Sequence, residues 1–229
     1  MQTSDFNYQL PQNLIANKPP STRGNSRLLV INRHSNQIWD SHYSDLDNYL
    51  QPGDLLLLNN TKVIKARLQV TTHQGFQTEL FLLERHQLDQ DPHYFKAIFY
   101  GKLKPGDQLL VGPYQINLIS ISDGIAKVYS ETNLFDLADN FGQTPIPPYL
   151  KRPPTKNDEH RYQTTFAKHP GSVAAPTASL NFTPDLKKRL LSKGVQIHYL
   201  TLHVGLGTFL PIRTTNLKDH HMHREYFSI

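Results

Sequence analysis

The chain has 229 residues, 38% of them apolar and 10% aromatic, with 16 Pro; this is enough for one large domain or two modest ones, and the aromatic content marks a folded, turn-rich chain rather than a disordered one. A total of 24 Lys and Arg against 19 Asp and Glu leaves a net charge of +5, which favours approach to polyanions without establishing nucleic-acid binding. With no Cys, a disulfide framework, a thiolate metal site and a thiol nucleophile are excluded; residues 1–7 are polar and no apolar run approaches the roughly 20 residues that cross a bilayer, so the expectation is a soluble, cytoplasmic protein without a membrane partner.

Short apolar runs at 27–32 and 54–58 read as strands buried on both faces of an α/β sheet, with a short helix over 43–50, led by Ser44 or Asp45, between them. From Lys62 the character changes. Strand-like segments at 63–71, 78–84, 94–100, 107–111, 114–120 and 125–130 alternate with turn signals such as His73-Gln74-Gly75, Lys104-Pro105-Gly106-Asp107, Gly112-Pro113 and Ser122-Asp123-Gly124. Six strands on short turns predict a small antiparallel barrel or sandwich. Helical pattern returns at 132–141 and at 183–193, where Thr183 can cap, Pro184 takes the first helical position, Leu186, Leu190 and Leu191 form a stripe and Gly194 ends the helix. A buried parallel strand is expected over 195–203. The order predicts an α/β domain of residues 1–61 and 146–229 with a β-barrel domain, 62–145, inserted.

Three blocks suggest a ligand site. Gly171-Ser172-Val173-Ala174-Ala175-Pro176-Thr177-Ala178 is neither a good helix nor a good strand, so backbone must pack closely against something there. Arg161-Tyr162-Gln163-Thr164 precedes it, and Leu202-His203-Val204-Gly205-Leu206-Gly207-Thr208-Phe209 follows. His203 stands at the carboxyl end of the expected strand, the edge at which α/β folds bind ligands, and Gly205 and Gly207 would let backbone amides approach a ligand; an ordinary strand-to-loop turn is the other reading.

These blocks, together with Asp5-Phe6, Leu14-Ile15-Ala16, Ser26-Arg27-Leu28-Leu29, Gly53-Asp54-Leu55-Leu56, Asn59-Asn60-Thr61-Lys62-Val63-Ile64, Pro147-Pro148-Tyr149 and Asp219-His220-His221-Met222-His223-Arg224-Glu225, resemble the S-adenosylmethionine:tRNA ribosyltransferase-isomerases of queuosine biosynthesis. One local departure is Ser179-Leu180-Asn181, where the family pattern has Gly-Leu-His. The resemblance implies a barrel-like α/β domain with an inserted β-barrel, and a fold that continues past the position of Ile229, so the α/β domain is expected to be incomplete. It also implies transfer and isomerisation of the ribosyl group of S-adenosylmethionine onto 7-aminomethyl-7-deazaguanine at the tRNA wobble position, with adenine and methionine released. S-adenosylmethionine is then a co-substrate, no further cofactor is expected, and tRNA, through its anticodon stem-loop, is the partner. An inactive remnant or split half, completed by a separate C-terminal fragment, is the alternative expectation.

That reaction needs a base beside the sulfonium and an acid for departing adenine, work that His and carboxylates can do. His203 is the first candidate, against a buried His bonded to backbone. Asp158 is a further catalytic candidate, or with Arg161 it contacts the ribose hydroxyls or the methionyl carboxylate, against a solvated salt bridge between them. Among Asp219, His220, His221, His223 and Glu225, the spacing does not match a helical zinc pair, so acid/base roles for His223 and Glu225 are preferred and no metal is expected. Asn59, Asn60, Thr61 and Lys62 lie at a strand end and line the site or simply turn into the next domain. Ser172 caps a turn or touches substrate, and Tyr162, Gln163, Pro176, Thr177, Thr208 and Phe209 complete the binding set. For tRNA the basic residues Lys62, Lys65, Arg67, Lys102, Lys104, Lys151 and Arg152 would meet phosphates, and Tyr149 or Tyr162 would stack on a base.

Overall fold

The computed structural model describes residues 1–83 and 91–229. Strands β1 (Arg27–Asn32) and β2 (Gln37–His42) open the chain as an antiparallel hairpin. The Asn32 side chain accepts from the amides of His34 and Ser35 at 2.9 and 3.2 Å, and Asn36 takes the left-handed region at φ 55°, so this polar turn reverses the chain. The run at 27–32 is therefore not a doubly buried sheet strand: among the described residues β1 pairs with β2 alone, and Leu29 and Ile31 are exposed. The segment expected as a helix over 43–50 is a 3-10 turn, Tyr43–Tyr49.

Strands β3 (Leu55–Asn59) and β4 (Thr61–Val63) follow, and here one expected run divides. The Ala66 amide donates to the Ile64 carbonyl at 2.8 Å, a tight turn that separates β4 from β5 (Arg67–Thr72) and hands the chain from one sheet to another. Strand β5 then joins β6 (Gln77–Leu82), β7 (Tyr94–Phe99), β8 (Gln108–Val111), β9 (Tyr114–Ser122) and β10 (Ile125–Tyr129). Their order is β5-β6-β7-β10-β9-β8, and β5 also pairs with β8, so six antiparallel strands close into a barrel. Glu84, at the end of the expected 78–84 strand, lies outside the described residues.

Period-two alternation fills the barrel. Leu68, Val70, Leu80, Leu82, Leu109 and Ile116 point inward and are buried, while Gln69, Lys96 and Lys127 between inward positions face solvent. Helix α1 (Leu134–Phe141), capped by the Asn133 side chain on the Phe135 amide at 2.8 Å, adds Leu134, Leu137 and Ala138 to the same core. The two-residue strand β11 (Gly142–Gln143) then pairs with β5.

Helix α2 (Lys156–Arg161), strand β12 (His169–Ser172), helix α3 (Pro184–Ser192), strand β13 (Gln196–Leu202) and the short β14 (Phe227–Ser228) complete the chain. Strand β12 lies parallel to β4, and β13 lies parallel to β3 and antiparallel to β14. Helix α3 starts as its sequence predicts, with Thr183 accepting from the Leu186 amide and Pro184 in the first turn. Leu186 and Leu190 pack with Leu58, Phe182 and Val195 in a second core. The runs at 54–58 and 195–203 are buried on that side only, because Leu55 and Leu57 on the opposite face of β3 are 62% and 49% exposed. The chain is thus a mixed α/β protein, mostly strands, with a closed six-stranded barrel.

Candidate active site at the strand ends

Strand β3 ends in two asparagines whose side chains continue its pairing. The Asn59 amide donates to the Leu202 carbonyl at 2.8 Å and accepts from the amides of Leu202 and Thr61 at 3.0 and 3.1 Å. Asn60 donates its amide to the Leu200 carbonyl at 2.9 Å, accepts from the Lys168 amide at 2.7 Å, and takes the Thr201 hydroxyl on its side chain at 2.6 Å. These bonds join β3, β13 and the entry to β12. Their effect is to deliver Thr61, fully buried, against His203, with Thr61 Oγ1 and His203 Nδ1 2.8 Å apart. His203 is 3% exposed and follows the last residue of β13.

The small-residue block packs backbone against backbone, as its composition requires. Val173 donates to the Val204 carbonyl at 3.0 Å, and Ile64 donates to the Ser172 carbonyl at 2.9 Å. The buried Ser172 hydroxyl donates to the Ala174 carbonyl at 2.7 Å and accepts from the Val204 amide at 2.9 Å. These bonds fit the turn-capping reading of Ser172 and fix the start of the glycine loop.

Residues 205–209 and 223–225, separate blocks in the sequence, meet in space. Glu225 Oε1 accepts from the Gly205 amide at 3.0 Å and lies 3.3 Å from His223 Nε2. The His223 ring lies on Gly207, where any Cβ would overlap ring atoms. A 3-10 turn, Leu206–Phe209, is closed by Thr208 donating to the Gly205 carbonyl at 3.2 Å; the Phe209 side chain lies outside the described residues. Carboxylate, imidazole and buried loop amide form one unit beside the β13 end. Among the described residues no three His, Asp or Glu side chains converge as metal ligands.

A pocket of about 260 Å³ opens on the other side of the small-residue block, lined by Tyr149, Arg152, Arg161, Tyr162 and Thr177 and by the 16–20 segment. Pro176 caps the 3-10 turn Thr177–Ser179 that brings Thr177 to this pocket. Burial pushes the Tyr162 phenol up to about 12. Gln163 pairs with Val63 as a strand would, accepting its amide at 3.0 Å and donating to its carbonyl at 2.7 Å, so it is a joint rather than a free ligand group. Asn181, at the departure from the family pattern, accepts from the Ser26 hydroxyl at 2.9 Å. Lys62 is exposed in register with Pro170, away from this pocket's lining.

Asp158 departs most from expectation. Its carboxylate takes both Nη atoms of Arg152, at 2.6 and 2.8 Å, and the amide and hydroxyl of Thr155, at 2.7 and 2.8 Å. The Arg152 hydrogen bond, ahead of the Thr155 donors, holds its pKa well below the usual carboxylate range. Held ionised by four donors, Asp158 caps α2 and fixes the Arg152 fork, and both side chains line the 260 Å³ pocket. Arg161 instead donates to the Ser21 carbonyl at 3.2 Å. Sequence reasoning missed Arg23, which donates to the carbonyls of His160, Gln163 and Leu180 at 2.8, 2.8 and 2.6 Å and ties the N-terminal segment to the pocket. An Arg in a polar loop leaves no periodic signal, whereas Thr155-x-x-Asp158 is a legible capping pattern.

Known proteins resemble this chain over its whole length. The model of the family described as "Queuosine biosynthesis protein" matches residues 3–229. The S-adenosylmethionine:tRNA ribosyltransferase-isomerase of Pelodictyon phaeoclathratiforme is 52% identical over all of this chain and 67% of its own length, and that of Nitrosospira multiformis 41% identical over all of this chain and 65% of its own. A crystal structure of the S-adenosylmethionine tRNA ribosyltransferase of Thermotoga maritima is 28% identical, covers 87% of this chain and 58% of that one, and superposes with a TM-score of 0.36. The chain spans about two thirds of the length of the curated relatives it matches. On the family match and on identity of this extent, the chain belongs to the queuosine biosynthesis protein family.

Proposed function

We propose that this chain carries S-adenosylmethionine:tRNA ribosyltransferase-isomerase chemistry, transferring and rearranging the ribosyl group of S-adenosylmethionine onto 7-aminomethyl-7-deazaguanine in the anticodon stem-loop of tRNA. The observation that carries the reading is the convergence of His203 with Thr61, and of Glu225 with His223 and the Gly205 amide, at the end of a parallel strand. The sulfonium acidifies the ribose carbon beside it; a neutral imidazole takes that proton, and an imidazolium or carboxylic acid returns one to departing adenine. His223, 3.3 Å from Glu225, suits the second task, because the carboxylate fixes the orientation of its ring. Arg161, at the 260 Å³ pocket, suits the methionyl carboxylate, and Tyr149, 58% exposed, suits an unstacked base. The reaction so drawn uses S-adenosylmethionine as co-substrate and no other cofactor.

The test is adenine release from S-adenosylmethionine by the purified chain, with and without tRNA carrying the aminomethyl-deazaguanine. Release that requires this tRNA supports the reading; equal release without it marks a nucleosidase or lyase. The same assay with an added polypeptide equivalent to the remainder of the relatives separates a chain active alone from one completed by a second fragment.

A further inference from the structure

A second site lies at the far end of the barrel. Strand β5 leaves the Thr61–His203 region at Arg67 and reaches the opposite rim at Thr72; six strand residues span about 20 Å. There the turns after β5 and β7 bound a depression of about 750 Å³, within the roughly 300–1,000 Å³ range of ligand sites. Its turns are tight, with Gly75, Gly101 and Gly106 at φ between 83° and 91°. Thr78 ties the two walls together by donating its hydroxyl to the Tyr100 carbonyl at 2.6 Å.

The rim has the composition of a stacking platform. Phe76 and Tyr100 are 67% and 66% exposed, large aromatic side chains on turns where solubility favours polar ones. Lys102 and Lys104, both exposed, stand beside them. Asp107 is the carboxylate among the described lining residues, and it accepts from the Lys104 amide at 2.9 Å, part of its charge thus answered by backbone. Paired aromatics with flanking ammonium groups fit single-stranded nucleic acid, because bases stack on the rings while lysines meet phosphates.

We infer that this distal rim binds an unpaired stretch of RNA, a contact separate from the strand-end site and resting on the tRNA substrate of the proposed function. Separation by the length of a strand decides the size of the occupant: a molecule that touches both places is a macromolecule, not S-adenosylmethionine. All four side chains are exposed, so their replacement leaves the barrel core untouched.

The experiment measures fluorescence anisotropy of a labelled anticodon stem-loop RNA and a labelled oligouridylate with the whole chain, across a salt series. Compared are Phe76→Ser with Tyr100→Ser, Lys102→Ala with Lys104→Ala, and Lys96→Ala on the barrel wall as control. The aromatic pair is expected to weaken oligouridylate binding roughly tenfold or more. The lysine pair is expected to lower the salt slope by about 1.4, with melting temperatures unchanged and Lys96→Ala indistinguishable from wild type. Wild-type affinity and slope in both rim variants overturn the inference while leaving the proposed function intact, since tRNA-dependent adenine release is scored separately. Absence of RNA binding by the wild-type chain overturns it too, and if adenine release then needs no tRNA the proposed function falls with it. A chain that dimerises, and becomes monomeric on Phe76→Ser with Tyr100→Ser at constant RNA affinity, overturns it in favour of a protein contact.

Discussion

Glu225 Oε1 faces both the Gly205 amide and His223 Nε2, and a carboxylate so placed fixes the orientation of the imidazole. Replacing His203 by Ala, or Glu225 by Gln, is expected to lower the rate of tRNA-dependent adenine release about 10²–10⁴-fold with little change in melting temperature; a large loss of melting temperature with modest kinetic change returns the residue to a packing role. Asp158 is expected to behave in the opposite way. Asp158→Asn leaves Arg152 facing a neutral amide and should cost about 2–4 kcal/mol at neutral pH, measured by denaturant titration. Its folded pKa is depressed, so this stabilisation is complete above the ordinary carboxylate pKa and is lost as pH falls through the folded value. The gap between wild type and Asp158→Asn should therefore close on acidification below about pH 4. His203 was legible as a strand-end residue because the apolar run and the following glycines mark the strand's end. The Arg152–Asp158 pairing was not, since spacing alone cannot choose between Arg152 and Arg161 for one carboxylate.

At the scale of elements, the barrel strands were readable because each turn between described neighbours carries Gly, Pro or Asp and strands such as β5, β8 and β10 alternate. The division of 61–72 into two strands was not, since the break is the single bond from the Ala66 amide to the Ile64 carbonyl inside an unbroken β-prone run. Burial on both faces was likewise read from apolar continuity, and continuity cannot say whether a second layer covers Leu55 and Leu57. A junction that left no sequence signal is Gly142, between α1 and β11. A Cβ there would overlap the carbonyl oxygens of Lys65 and Ala138, and neither backbone can yield without moving a strand or a helix end. Gly142→Ala is expected to cost about 3 kcal/mol or more, seen as a fall of several degrees in melting temperature. Gly207→Ala meets a side chain instead, so the His223 ring moves aside; lost adenine release with retained stability is the expected contrast.

Across the whole molecule, the two larger of three buried apolar clusters among the described residues differ in closure. The barrel core has every strand paired on both edges and includes Leu68, Leu80, Leu82, Leu109 and Ile116 at zero exposure, with Ile64 and Val173, which directly follow β4 and β12, packed into it. The second core rests on one face of the β3–β13 sheet, with Leu186 and Leu190 of α3 on that face and exposed leucines on the other. Apolar surface left in water contributes nothing to folding, so opening the β3–β13–α3 unit should need less free energy than opening the barrel. Native-state hydrogen exchange is expected to show two classes of slow amides, with those of β5, β6, β7 and β10 slower than those of β3 and β13. The expected division into an α/β part and an inserted barrel predicts this contrast. A single class, with barrel and β13 amides exchanging together at every denaturant concentration, would mean that Ile64 and Val173 couple the two cores into one cooperative unit, and that the rim and strand-end sites ride on one rigid body.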